Sequence, residues 1–236
     1  MDTFKKYVDI CINYGITEFE LTPLVGEALL DPSLFDRIEY LSSFNEVREI
    51  FIFTNLLALN SQMINQMDHF KKFSLRLSIY GDSRETYLMR TKKDFFDIFV
   101  DKLNLLSTYI CSGRASIKIP EVIIRYNGFT PYDFKVKWSK NPVLRPLKSM
   151  VLCGKIREEA IFGEGWDVNW QNDLINITDK IDLVEPIFRK DGRGLCEYVI
   201  LDNGVWPNGD IGICTCWFDI NKRMILGNIN KQKLDE

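Results

Sequence analysis

The sequence predicts an α/β protein built on a parallel sheet, and three observations predict it. Over the first 153 residues, short apolar runs of strand length alternate with amphipathic stretches at intervals of roughly 25 to 45 residues, the rhythm of stacked βαβ units. One run, VREIFIFTN at 47–55, is almost wholly apolar, which suits a strand covered on both faces. After Cys153 the rhythm stops, and residues 154–195 are rich in Gly, Asp, Asn and Trp, as in GEGWDVNWQND, without helical periodicity.

Taken in order, residues 2–14 place Phe4, Tyr7, Val8, Cys11 and Ile12 at helical spacing, and Gly15 is the stop signal. A short β-prone run follows at 16–22. Asp31-Pro32-Ser33 then opens a helix with Leu34, Ile38 and Leu41 on one face, its proline standing early, where the missing N–H does no harm. Beyond the apolar strand come a helix at 61–70, the strand FSLRLSIYG at 73–81 and a long helix from about 92 to 110. That helix carries a stripe of Phe96, Phe99, Leu103, Leu106 and Ile110, with Gly113 just past its end. ASIKIPEVIIRY, 115–126, reads as a strand in which Pro120 requires a bulge, an edge or a break. A poorer helix at 132–139 leads to RPLKSMVLC, 145–153, read as the fifth strand, and five strands are too few for a closed eightfold barrel. From Leu195 onward, short β runs around Asn203-Gly204 and Pro207-Asn208-Gly209 read as hairpins. The expected organisation is therefore a sheet domain at 1–153, a connecting segment at 154–194 laid over the sheet, and a β extension at 195–236.

The totals restrict function. A chain of 236 residues with 46% apolar residues buries a proper core. It has no apolar run long enough to span a bilayer and no Lys-flanked apolar start ending in small residues, so the cytoplasm is the expected compartment and no membrane partner is expected. A net charge of −3, with both signs interspersed, gives no footprint for nucleic acid. Lys71-Lys72 and Lys92-Lys93 read as solvated faces. The single histidine, His69, sits in a polar stretch with a solvated or capping role, which excludes histidine triads and HExxH zinc sites. Six cysteines are too few for a disulfide scaffold, so the thiols serve packing, metal or catalysis. Cys11 and Cys111 are expected in the core. Cys196, Cys214 and Cys216 lie within 21 residues of one another, and Cys214 and Cys216 point to one face of a β run. They read either as small hydrophobes packed in a hairpin or as metal ligands that need a fourth partner, with Cys153 a candidate.

Ligands of a parallel α/β sheet gather at the carboxyl ends of its strands. Three polar turns fall there: Leu24 to Glu27, Thr54-Asn55, and Ser78 with Tyr80-Gly81-Asp82. Gly26 allows close backbone approach, Glu27 accepts from an ammonium group, and Thr54, Asn55 and Ser78 offer hydroxyl and amide groups. Together they suit a small zwitterionic or ribose-bearing ligand better than a phosphate, because no Gly-rich loop followed by lysine is present. Asp31 and Asp82 read as caps, and the late tryptophans Trp166, Trp170, Trp206 and Trp217 as seals of a loop against a core.

Several stretches resemble the radical S-adenosylmethionine (SAM) enzymes. FELTPLVGEALLDPSL resembles their GGEPLL stretch after the second strand, IFIFTNLLAL their TNG-L-L motif, and LRLSIYGDSRETYLMRT their SI-G segment before a tyrosine-containing helix. In the tail, Cys196, twelve residues, Gly209, four residues and Cys214 resemble the opening of the SPASM or Twitch auxiliary-cluster pattern, and MILGNINKQKL the L-G-N-I segment after it. The resemblance implies a partial parallel (β/α) barrel, an incomplete (β/α)6 of TIM-like type, with a small C-terminal β-hairpin extension. It further implies a [4Fe–4S] cluster that reduces SAM to a carbon radical for modification of a peptide, sugar or other small substrate, and a reductant such as a flavodoxin or ferredoxin. By the same resemblance Gly26 and Glu27 meet the methionyl amino group of SAM, Ser78 its ribose or carboxylate, with Thr54 and Asn55 beside them, and Cys196 and Cys214 ligate an auxiliary cluster. Cys216 is a further ligand candidate outside the motif.

The departures are specific. The C-x3-C-x2-C of the catalytic cluster belongs before the first helix, with which this chain begins, and none of the six cysteines has that spacing. Val25 and Ala28 replace a glycine and the proline of GGEP, and the later cysteines of the pattern would lie beyond Glu236. Two readings follow: an incomplete copy of a longer enzyme, inactive alone, or a short non-catalytic relative that kept the scaffold as a binding module.

Overall fold

The computed structural model describes residues 1–23, 26–125, 131–163, 204–205, 208–212 and 225–231. They belong to two units, Thr17–Asn169, and Met1–Ile16 together with Trp170–Glu236. In the second, smaller-core unit, helix α1 (Asp2–Asn13) ends as the sequence predicts, with Gly15 at φ +82°.

Five short strands organise the first unit: β1 (Glu18–Glu20), β2 (Glu49–Thr54), β3 (Phe73–Ile79), β4 (Val122–Ile124) and β5 (Ile161–Gly163). They lie side by side in chain order and every pairing is parallel. Right-handed crossovers in a sheet wound without reversal put every connecting helix on one face. Those helices are α2 (Leu34–Ser42), α3 (Ser61–Asp68), α4 (Arg84–Thr91), α5 (Phe96–Cys111), α6 (Pro131–Lys137) and α7 (Leu144–Leu152). This is the winding of a (β/α) barrel, left partial at five strands.

The register assigns the faces. Phe19, Ile50, Phe73, Leu75, Leu77, Val122 and Ile161 fall on one side by their pairings and are all buried, as a helix-covered face requires. The other side holds Glu49, Phe51, Phe53, Arg76 and Ser78. Along β2 this produces strict alternation, with Ile50, Ile52 and Thr54 buried and Glu49, Phe51 and Phe53 half-buried. The apolar run at 47–55 is therefore not covered equally on both faces. Its two phenylalanines meet edge to face at 6.2 Å, and the Arg76 guanidinium lies 3.6 Å above the Phe51 ring while pairing with Glu49 at 3.6 Å and Glu121 at 3.3 Å.

Four expectations need correction. RPLKSMVLC is not a strand but most of α7. The Asn141 side chain accepts from Val143 N–H and Leu144 N–H, both at 2.9 Å, and Leu144, Leu147 and Met150 turn to one buried face. The fifth strand is instead Ile161–Gly163, inside the stretch read as a connection. The long helix begins at Phe96, because Lys92 adopts φ +57° and ends a separate helix, α4. Cys111 is exposed rather than buried, whereas Cys11 is buried. At Pro120 the choice of a break holds, since β4 starts only at Val122.

In the second unit, β6 (Gly204–Val205), β7 (Asp210–Gly212) and β8 (Ile225–Asn228) form an antiparallel sheet near the C-terminus, in line with the expected hairpins. Asn208 and Asn228 bind the Asp210 carboxylate at 2.7 Å and 2.8 Å. Gly209, at φ +88°, passes so close to Asn230 that a Cβ would stand 2.4 Å from its Nδ2.

Gly81 sets how tightly α4 follows β3. A Cβ there would stand 2.5 Å from the Tyr87 backbone nitrogen and 2.7 Å from the Thr86 carbonyl carbon, neither of which can yield as a flexible side chain does. Gly81→Ala is expected to lower the unfolding free energy by about 2–4 kcal/mol in urea titrations. Gly113→Ala, with nothing within 4 Å but φ +73°, is expected to cost about 1–2 kcal/mol.

Tyr87 is wholly buried between Phe96 and Phe99, and its hydroxyl has no hydrogen-bond partner among the described residues. Burial pushes its pKa up to about 12, with Tyr80 and Asp94 adding to the rise. A folded pKa above the unfolded value of about 10 leaves stability intact below pH 10 and removes it as pH climbs towards 12. Tyr87→Phe is expected to flatten that alkaline loss, followed by circular dichroism, and to change neutral-pH stability by less than about 1 kcal/mol.

Candidate functional site

The chain leaves β1 through Thr22 and Pro23 and returns at Gly26, which takes φ +124° and is exposed. Glu27 then starts the single 3-10 turn Ala28–Leu30 and caps it, accepting from Leu29 N–H at 3.3 Å. Its carboxylate also reaches the end of β2. Oε1 accepts from Thr54 Oγ1 at 2.6 Å, and Oε2 accepts from Asn55 N–H at 3.0 Å. A second tie sits one step back, where Phe53 N–H donates to Thr22 Oγ1 at 2.7 Å. Glu27, Thr54 and Asn55 are thus one bonded cluster, with Gly26 covalently beside it.

The turn after β2 is shaped by the same groups. Leu56 N–H donates to Thr54 Oγ1 at 2.9 Å and Leu57 N–H to Asn55 Oδ1 at 3.0 Å. Leu56, at the place of the glycine in the TNG motif, has φ +68°, a left-handed conformation that costs a leucine about 1–2 kcal/mol. Its side chain is completely buried, which offsets that cost.

Ser78 stands on the neighbouring strand at the same end of the sheet. Thr54 pairs with Leu77, so Ser78 is one residue further along and faces the opposite side from Thr54. It does not join the Glu27 cluster. Its Oγ accepts from Arg125 Nε at 2.6 Å, and Arg125 N–H in turn donates to Ile79 O at 2.7 Å. Arg125 is a candidate that the sequence reading passed over. The signal was available: a cation directly after an apolar strand run occupies the same carboxyl-end position as Thr54-Asn55. Asp82 is not the expected cap: Ser83 caps α4, its Oγ accepting from Thr86 N–H at 3.2 Å, while Asp82 accepts from Thr86 Oγ1 at 3.2 Å and its carbonyl from Asn141 Nδ2 at 2.9 Å. An open cleft of about 500 Å³ beside it is lined by Asp82, Ser83, Phe96 and Asn141, and not by Glu27, Thr54 or Ser78.

Among the described residues, no group of three His, Cys, Asp or Glu side chains is placed to hold a metal ion. Cys196, Cys214 and Cys216 lie outside the described residues. Cys153, the candidate fourth ligand, lies against Cys111 at 2.7 Å. Among the described residues, no helix is long and apolar enough to cross a membrane.

This fold occurs in solved structures. SuiB of Streptococcus suis bound to S-adenosylmethionine matches 99% of this chain and 56% of its own at 10% identity, with a TM-score of 0.55. SuiB bound to its precursor peptide SuiA matches at 12% identity and a TM-score of 0.58. Native anSMEcpe with bound AdoMet matches 99% of this chain and 69% of its own at 13% identity, with a TM-score of 0.55. At such identities the likeness is one of fold, and the chain spans little more than half the length of SuiB. No protein-family model and no curated protein sequence matches the chain.

Glu27→Gln puts an amide N–H where a donor already points, at Asn55 N–H or at Thr54 Oγ1. It is expected to cost about 1–3 kcal/mol of stability in denaturant titrations, with Thr54→Val non-additive with it in a double-mutant cycle.

Proposed function

We propose that the chain is a SAM-binding protein of radical-SAM type whose substrate is a peptide. The observation that carries this reading is the Glu27 cluster at the mouth of a chain-order parallel sheet, the place where ligands of such sheets bind. The likeness in fold to SuiB bound to SAM, to SuiB bound to its precursor peptide and to anSMEcpe with bound AdoMet supports it.

The donors and acceptors suit the amino-acid end of SAM. A carboxylate offers about four lone-pair sites, and Glu27 uses three on Leu29, Thr54 and Asn55, which leaves one for an ammonium group. Arg125 binds Ser78 through Nε, so that the two form one polar group in which a guanidinium suits a carboxylate and the serine hydroxyl a ribose or carboxylate oxygen. Gly26 lets backbone approach, since a Cβ there would meet only Pro23 Cγ at 3.7 Å while its φ favours glycine. The described residues do not supply a cluster site. Cys196, Cys214 and Cys216 are proposed as ligands of an auxiliary cluster on the β extension proposed for 195–236.

Equilibrium dialysis against SAM tests the reading, with the full chain reconstituted anaerobically with iron and sulfide. Saturable binding is expected, weakened about tenfold or more by Arg125→Ala and by Ser78→Ala. Absence of binding, or binding indifferent to both substitutions, contradicts it.

A further inference from the structure

Away from the sheet mouth, two thiols face each other. Cys111 is the last residue of α5 and Cys153 the C-cap of α7. Both are exposed, and their Sγ atoms lie 2.7 Å apart, inside ordinary van der Waals contact. We propose that this pair is a redox-modification site, at which a small-molecule disulfide such as oxidised glutathione installs a reversible Cys111–Cys153 cross-link.

The surroundings favour a cross-link over the other uses of paired thiols. The two helices are already held in register without the sulfurs, because the buried Ser107 Oγ donates to Pro146 O at 3.1 Å and Leu103, Leu106 and Ile110 bury alongside Leu147 and Met150 in the helix layer. Ring closure brings two sulfurs already 2.7 Å apart to a bond length of about 2.05 Å. A thiolate metal site needs more than two ligands, and no third His, Cys, Asp or Glu joins the pair among the described residues. Packing does not explain it either, since exposed thiols contribute little burial.

The exchange balances. The Cys153 thiolate attacks one sulfur of oxidised glutathione, the S–S bond breaks, and one glutathione thiolate leaves and takes up a proton from solvent. Cys111 then loses its proton to solvent and attacks the Cys153 sulfur of the mixed disulfide, releasing the second glutathione. Two protein thiols are oxidised to one disulfide while one glutathione disulfide is reduced to two thiols. The order follows from the surroundings: desolvation and the neighbouring Cys153 sulfur push the Cys111 thiol up to about 11, so it holds its proton until the mixed disulfide is in place. The product ties the helix that precedes β4 to the one that precedes β5.

The site does not depend on the reading of the sheet mouth, so SAM binding has no part in its test. The full chain is equilibrated with oxidised and reduced glutathione, quenched, alkylated and mapped by mass spectrometry without reduction. The expected result is one species joining the Cys111 and Cys153 peptides, two hydrogens lighter than the separate thiols and lost with dithiothreitol. Cys111→Ser is expected to stop at a mixed disulfide on Cys153, and Cys153→Ser to abolish the cross-link. Should either variant lose its circular dichroism spectrum, differential alkylation of the unsubstituted chain decides alone. Independent alkylation of both residues, pairing of either with another cysteine, or protection removed by a chelator rather than by dithiothreitol overturns the proposal.

Discussion

The carboxylate of Glu27 accepts from Thr54 Oγ1, Asn55 N–H and Leu29 N–H, and the arrangement of the sheet mouth follows from those three bonds. They fasten the loop after β1 to the end of β2 and cap the 3-10 turn that leads towards α2. Charge-assisted bonds of this kind are roughly twice as strong as neutral ones, and a half-buried carboxylate without them would be expensive. One side chain thereby fixes the backbone on both sides of the turn, next to Gly26 and at the end of β2.

The sheet around it separates two chemistries. Winding in chain order sends every helix to one face, where a largely apolar layer packs. The opposite face keeps charge, which a parallel sheet seldom tolerates unless it is paired. Arg76 satisfies that condition between Glu49 and Glu121 and over the Phe51 ring, and Arg125 donates to Ser78.

Much of this was legible in the sequence where one physical signal dominated. The strands at 47–55 and 73–81 announced themselves as β-branched and aromatic runs between turn residues, and Gly15 and Gly113 marked helix ends because both take positive φ. Residues 145–153 misled because Leu147, Met150, Val151 and Leu152 fit either period over so short a window, and the decisive cap, Asn141, lies four residues upstream. The fifth strand was obscured because three residues, Ile161–Gly163, carry almost no periodicity. At the mouth, residue type and position at strand ends identified Glu27, Thr54, Asn55 and Ser78, but not that Ser78 faces away from the others and meets Arg125. Pairing across 47 residues depends on sheet register, which no local pattern encodes.

The central claim is that SAM settles over the carboxyl ends of β1 to β4. Amide chemical-shift mapping of the isotope-labelled full chain, titrated with SAM, reads the location directly. The account predicts perturbations centred on Gly26, Glu27, Asn55, Ser78 and Arg125. Perturbations confined to the helix layer, or to the Asp82 and Asn141 cleft without those amides, would contradict it.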